Sequence, residues 1–122
     1  MKIGYFADTY ALIEIIKGDK NYQKFLNKSL FTSIFNLYEL YYNLLKDLGE
    51  ETAKLHFNNY YPYAIEVKQE HLFEAAKFKL KNKKNNISYI DALGYSVAKL
   101  QNIKFLTGDK EFQNLDNVEY VK

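Results

Sequence analysis

The sequence predicts an α/β domain built on a mainly parallel central sheet. Short apolar runs alternate with longer helical patterns, the order that strands and crossover helices follow in such folds. Punctuation is sparse, with five glycines and one proline, so helices should dominate. Two of the apolar runs lead into an aspartate, Asp8 and Asp109. Residues just past the carboxyl ends of parallel strands point into a common crevice, where open sheets bind ligands.

The elements follow in order. Residues 3–7 form the first strand. Residues 9–17 form a short helix, with Ala11, Leu12, Ile15 and Ile16 on one stripe and Gly18 as its stop. A second short helix covers 21–28, with Asp19 as its cap. A strand at 30–32 precedes Ser33, which caps a long helix reaching Leu48, and Gly49 takes the C′ position. Another helix, 50–59, closes on Tyr60-Tyr61-Pro62, and 63–67 reads as a strand. Helix 70–83 is expected to turn Leu72, Phe73, Ala76 and Leu80 inward. Helix 88–100 and strands at 104–107 and 119–121 complete the chain. No repeat, low-complexity tract or linker interrupts it, so 1–122 reads as one domain.

A domain of 122 residues should bury roughly two-thirds of its unfolded surface. At 48% hydrophobic and 26% charged residues, the composition is that of an ordinary globular protein. No stretch approaches the roughly 20 apolar residues of a membrane span. A strand starting within three residues leaves no room for a signal peptide, so a cytoplasmic, membrane-free protein is expected. Cysteine is absent, which excludes disulfides and thiolate zinc sites. All 17 basic residues are lysine, against a net charge of +2. Phosphate contacts must then come from lysine point charges, backbone N–H groups and hydroxyls, and arginine-to-guanine readout is excluded.

Four acids carry the functional signal: Asp8, Glu39, Asp91 and Asp109. Read singly, each has an ordinary role. Asp8 can cap the helix starting at Thr9. Glu39 lies on a stripe with Asn36 and Asn43 in a helix otherwise rich in Ile34, Phe35, Leu37, Leu40, Leu44 and Leu45, and that stripe faces either solvent or an internal cleft. Asp91 has capping-box spacing from Ser88, and its helix carries Gly94 mid-way, where something should pack closely. Asp109 follows glycine in a turn after a strand. Carboxylates gathered at strand ends repel one another unless a cation holds them, so together they suggest a hard-metal site.

In combination the chain resembles the PIN-domain nucleases, especially the VapC-type toxins of VapBC toxin–antitoxin pairs. The resemblance covers nearly the whole length. It rests on Phe6-Ala7-Asp8-Thr9 after the first strand, Glu39 in the third helix, Ile90-Asp91-Ala92 opening a late helix, and Leu106-Thr107-Gly108-Asp109-Lys110-Glu111-Phe112 near the end. It implies a three-layer α/β/α sandwich in which Asp8, Glu39, Asp91 and Asp109 are the catalytic and metal-ligating residues for Mg²⁺ or Mn²⁺, with Thr107 and Glu111 as supporting polar groups. It also implies an RNA substrate, cleavage of its phosphodiesters, an antitoxin partner and a homodimer. Two departures stand out: Tyr10 where a small serine is common, and Glu111 where aspartate is more usual. The chemistry needs no histidine or cysteine, because Mg²⁺ takes oxygen ligands and keeps several waters. His56 and His71 are expected to be surface or packing residues.

Two further features carry weaker signals. Lys77, Lys79, Lys81, Lys83 and Lys84 form a basic run that serves either as an RNA grip or as a solvated helix end. Twelve tyrosines include Tyr38, Tyr41 and Tyr42, which with Leu45 favour a protein interface. The competing readings are a non-catalytic PIN-like RNA-binding or scaffolding protein, and an RNA-processing PIN nuclease that is not a toxin. A receiver-type phosphoacceptor domain fits poorly, since Asp8 has no acidic neighbour and Lys68 follows 63–67.

Overall fold

A computed structural model describes residues 4–122. Among these residues four strands form one parallel sheet in the order β2-β1-β3-β4, with β1 at Gly4–Ala7, β2 at Ser29–Phe31, β3 at Lys104–Thr107 and β4 at Val118–Tyr120. Phe6 pairs with Phe31 on one side and Phe105 on the other, while Leu106 sits opposite Glu119. Five α-helices among the described residues flank the sheet: α1 (Thr9–Lys17), α2 (Ile34–Leu48), α3 (Glu50–Tyr60), α4 (Gln69–Lys81) and α5 (Tyr89–Leu100). The architecture is the expected α/β/α sandwich. Ile3, where the sequence begins the first strand, lies outside the described residues.

Both sheet faces are covered, and strand alternation sorts the core. Tyr5, Ala7 and Leu106 point to one side, where they join Leu12, Leu37 and Leu40. Phe6 and Phe105 point to the other, joining Tyr95, Val97 and Phe112. On that second side five rings pack together: Phe105 lies 4.8 Å from Phe112, 5.8 Å from Tyr95 and 5.9 Å from Phe6, and Phe78 stacks on Tyr95 at 4.5 Å. Gly94 explains itself here. A Cβ at that position would stand 2.8 Å from the Phe6 ring, so only glycine lets α5 lie this close to the sheet.

Local signals placed most boundaries. Gly18 adopts φ 79°, the left-handed cap that ends α1, and Gly49 at φ 90° closes α2. Ser33 and Ser88 cap α2 and α5 through their hydroxyls. Three differences are physical. The helix expected at 21–28 is a 3₁₀ segment, Lys20–Phe25, although Asp19 does cap it by accepting from the Asn21 N–H at 2.8 Å. The strand expected at 63–67 shrinks to one bridge between Thr32 and Ala64, because a 3₁₀ turn over Tyr61–Tyr63 takes up its start. The largest difference is in α4, whose Leu72, Phe73, Ala76 and Leu80 face outward; His71, Ala75 and Phe78 supply the inward face.

Candidate active site

The strand order reverses between β1 and β3, and the crevice opens at their carboxyl ends. Asp8 follows β1 and is held at three points. Its N–H donates to the Leu106 carbonyl at 3.2 Å, which ties it to the end of β3. Its Oδ1 accepts from the Ala11 N–H at 2.8 Å, which caps α1. Its Oδ2 accepts from the Thr107 hydroxyl. Thr107 Oγ1 in turn accepts from the Asp109 N–H at 3.0 Å, so one hydroxyl fixes both aspartates. Asp109 Oδ1 then accepts from the Glu111 N–H at 3.0 Å, starting a 3₁₀ turn at Lys110–Phe112.

Two helices bring the other acids. Asp91 stands in the first turn of α5, with its N–H bonded to Ser88 Oγ at 3.1 Å. Glu39 stands one turn inside α2, and Asn43 donates to its carbonyl at 2.9 Å. The placement of α2 depends on a buried polar network that the sequence did not single out. Asn36 is fully buried, donates from Nδ2 to Thr9 Oγ1 at 3.2 Å, and accepts from the Ser33 hydroxyl at 2.7 Å. It joins the N-terminal ends of α1 and α2 by hydrogen bonds that would be costly to leave unmade, and α2 brings Glu39 to the crevice that Asp8 also lines. Of the polar stripe, Glu39 and Asn43 line the crevice, while Asn36 is fully buried and does not.

All four predicted acids line this one crevice of about 430 Å³, together with Thr9, Tyr10, Asn43, Lys110, Tyr120 and Lys122. Thr107 lies beneath it, buried, bonded to Asp8. Glu111 does not line the crevice; its backbone supports Asp109. The lysine run from Lys77 to Lys84 does not reach the crevice either. Lys77 pairs with Glu74 at 3.6 Å, and Lys79 donates to the Ile87 carbonyl at 2.7 Å with its ammonium 4.7 Å from the Tyr89 ring centre. The cations present in the crevice, Lys110 and Lys122, were not foreseen. His71 is a packing residue: it is buried, and its Nδ1 accepts from the Lys68 N–H at 2.8 Å.

Electrostatics set the chemistry. Burial pushes the Asp8 carboxyl up to about 8, and the charges of Asp91 and Asp109 push the same way against the bonds from Thr107 and Ala11. Burial also raises Asp91 to about 6, with Glu39 and Asp109 adding to it and Ser88 opposing. Among the described residues, no three acidic, histidine or cysteine side chains are drawn into ready metal-ligand positions. The donor set is nonetheless all oxygen and short of positive charge at its deepest point. That fits a hard, partly hydrated cation such as Mg²⁺ better than a tightly caged one.

A two-sided parallel sheet with this acidic crevice at its switch point defines a class. The PIN domain family model matches residues 5–118, and the chain belongs to that family. Within it, the fold is shared with the VapC toxins. The chain superposes on the toxin VapC20 of Mycobacterium tuberculosis, described as cleaving the sarcin-ricin loop, with a TM-score of 0.79 at 18% identity, covering 97% of this chain and 99% of that one. VapBC2 of Rickettsia felis, bound to a DNA fragment from its promoter, gives 0.77 at 20% identity, with 98% and 100% covered. VapBC-5 of Mycobacterium tuberculosis gives 0.72 at 16%, with 98% of each chain covered. No curated protein matches by sequence.

Proposed function

We propose that this PIN domain is a Mg²⁺- or Mn²⁺-dependent endoribonuclease, the toxin of a toxin–antitoxin pair. The observation that carries the reading is the convergence of Asp8, Glu39, Asp91 and Asp109, from four separate elements, on one crevice. A bound divalent cation would supply positive charge at the phosphate and lower the pKa of the attacking water. Asp8 and Asp109 are the residues set to hold it, being fixed by one hydroxyl; Glu39 and Asp91 complete the set or contact it through water. Lys110 and Lys122 attract the phosphate backbone at the mouth as point charges. Water adds to phosphorus, the bond to the leaving ribose oxygen breaks, and that oxygen takes a proton.

Asp8→Asn and Asp109→Asn are expected to lower RNA cleavage at least about 100-fold with circular dichroism unchanged, as removal of charge aimed at a reacting phosphate does. EDTA should abolish wild-type cleavage. Mg²⁺-dependent cleavage that survives in both variants overturns the reading. Wild-type RNA binding that ignores EDTA, without cleavage, would instead establish the non-catalytic alternative.

Exposed apolar side chains are in keeping with partner contacts. Tyr38 and Tyr42 are exposed on α2, Leu72, Phe73 and Leu80 on α4, and Tyr89 is 81% exposed at the start of α5. Of these, Leu72 and Tyr89 line one apolar groove with Phe35 of α2, and exposed apolar patches mark protein contacts. A second copy of the chain is the occupant proposed for this face, leaving an antitoxin to act on the crevice. Tyr41 has a different role, packing on Phe57 of α3 at 6.1 Å. Sedimentation should give a dimer for the wild type and a monomer for Phe35→Lys/Leu72→Lys; an unchanged mass in both excludes this face.

A further inference from the structure

Tyr10 is, with Glu111, one of the two departures from the pattern the resemblance implies, and the structure gives Tyr10 a use. Its ring lies over Gly108, the residue between Thr107 and Asp109. A Cβ on Gly108 would fall 2.1 Å from the ring and 2.6 Å from the Val121 carbonyl oxygen, so the ring fills the space any side chain there would need. Tyr10 is thus braced on the backbone that carries Asp109. It remains 39% exposed, and it lines the crevice alongside Tyr120 and Lys122. A rigid, half-exposed aromatic side chain beside carboxylates set to act on a phosphodiester is placed to meet the base next to that phosphate. Every nucleobase has a π-face, and stacking on a tyrosine needs no hydrogen-bond match. The alternative occupants, a small polar group or water, would gain nothing from a phenyl ring braced in this way.

We infer that Tyr10 is a specificity-determining residue: its ring stacks on an unpaired base adjoining the scissile phosphate, which restricts the enzyme to RNA whose target nucleotide is free to leave its own stack. This rests on the nuclease reading above. Tyr10 does not touch the reacting atoms, so its loss is a loss of substrate positioning.

The test compares wild type, Tyr10→Phe, Tyr10→Leu and Tyr10→Ser on a short unpaired RNA oligonucleotide that wild type cuts, its cut position determined first with wild type. The leucine variant keeps apolar bulk over Gly108 without an aromatic face, and thermal melting checks that all four fold. Tyr10→Phe should match wild type, whereas Tyr10→Leu and Tyr10→Ser should raise KM about tenfold with kcat within about twofold, from the stacking strength of one base. Abasic substitution beside the cut should weaken wild type to the level of Tyr10→Ser and leave Tyr10→Ser unchanged. Equal KM for all four proteins overturns the inference, as does Tyr10→Phe failing like Tyr10→Ser, which would assign the effect to the hydroxyl. Anisotropy with the same RNA in an Asp8→Asn background separates the two readings. A protein that binds RNA through Tyr10 but never cuts it refutes only the nuclease. One that cuts while ignoring Tyr10 refutes only the stacking, and one that neither cuts nor binds RNA refutes both.

Discussion

The two ends of helix α5 present opposite physics a few turns apart. Its middle and C-terminal half press Gly94, Tyr95 and Val97 into a cluster of buried rings, where every contact favours the folded state. Its first turn holds Asp91 out over a crevice already occupied by Asp8 and Asp109, where burial and like charge disfavour the ionised forms. One helix thus joins a region that stabilises the fold to a region that taxes it. Sites that must hold charge for a ligand are commonly destabilised in the ligand's absence, and the rings supply the compensation.

That contrast can be broken from either end. The largest effect should come from Phe105→Ala, which removes the ring touching Phe6, Tyr95 and Phe112 and should cost about 3–5 kcal/mol in urea unfolding. Gly94→Ala is smaller, about 1–3 kcal/mol, because the new methyl meets the Phe6 ring at 2.8 Å and the helix must shift. A loss under half a kilocalorie in either variant would mean that α5 is not seated as described.

The acidic end should respond to pH with a definite sign. Asp8 has a folded-state pKa near 8, far above its value in the unfolded chain, so the folded state binds the extra proton between about pH 4 and pH 8. Its contribution to stability is complete below the unfolded pKa and is lost as pH rises through the folded one. Metal-free protein should therefore lose stability across that window by at most about 1.4 kcal/mol per pH unit from this group. Asp91 adds to the slope up to about pH 6. Saturating Mg²⁺ should flatten the trend, and Asp8→Asn should remove most of it while raising the melting temperature near pH 8. A metal-free protein that instead grows more stable from pH 5 to pH 8 contradicts the assignment of Asp8 as a buried, uncompensated carboxylate.

Much of this was legible in the sequence because it was local. Asp8 and Asp109 end apolar runs, Ser33 and Ser88 mark helix starts, and Gly18 and Gly49 mark helix ends. The orientation of α4 was not legible, since that helix has two apolar stripes with the same period. Leu72, Phe73, Ala76 and Leu80 make the greasier one, yet Phe78 stacks on Tyr95 and His71 caps its own helix, and those contacts decide which stripe turns in. The Asn36 network escaped notice for a related reason, because a buried asparagine has no signature until its partner, Thr9, is known from 27 residues away. Tyr10 could be flagged as unusual, but its seat on Gly108 exists only once β1 and β3 lie side by side.

The hydroxyl bridge from Thr107 to Asp8 spans 99 residues of sequence, and its strands are the two central ones of the sheet. During synthesis the first strand emerges long before its inner neighbour exists. Until β3 docks, Asp8 has no Thr107 and Asp109 no fixed position, so the crevice cannot assemble. Such late, long-range pairing slows folding. It also means that the acids stay apart until the 99 residues that separate Asp8 from Thr107 have been made. For the ribonuclease proposed above, that order of assembly would delay activity until Thr107 and Asp109 have been made and have docked against β1.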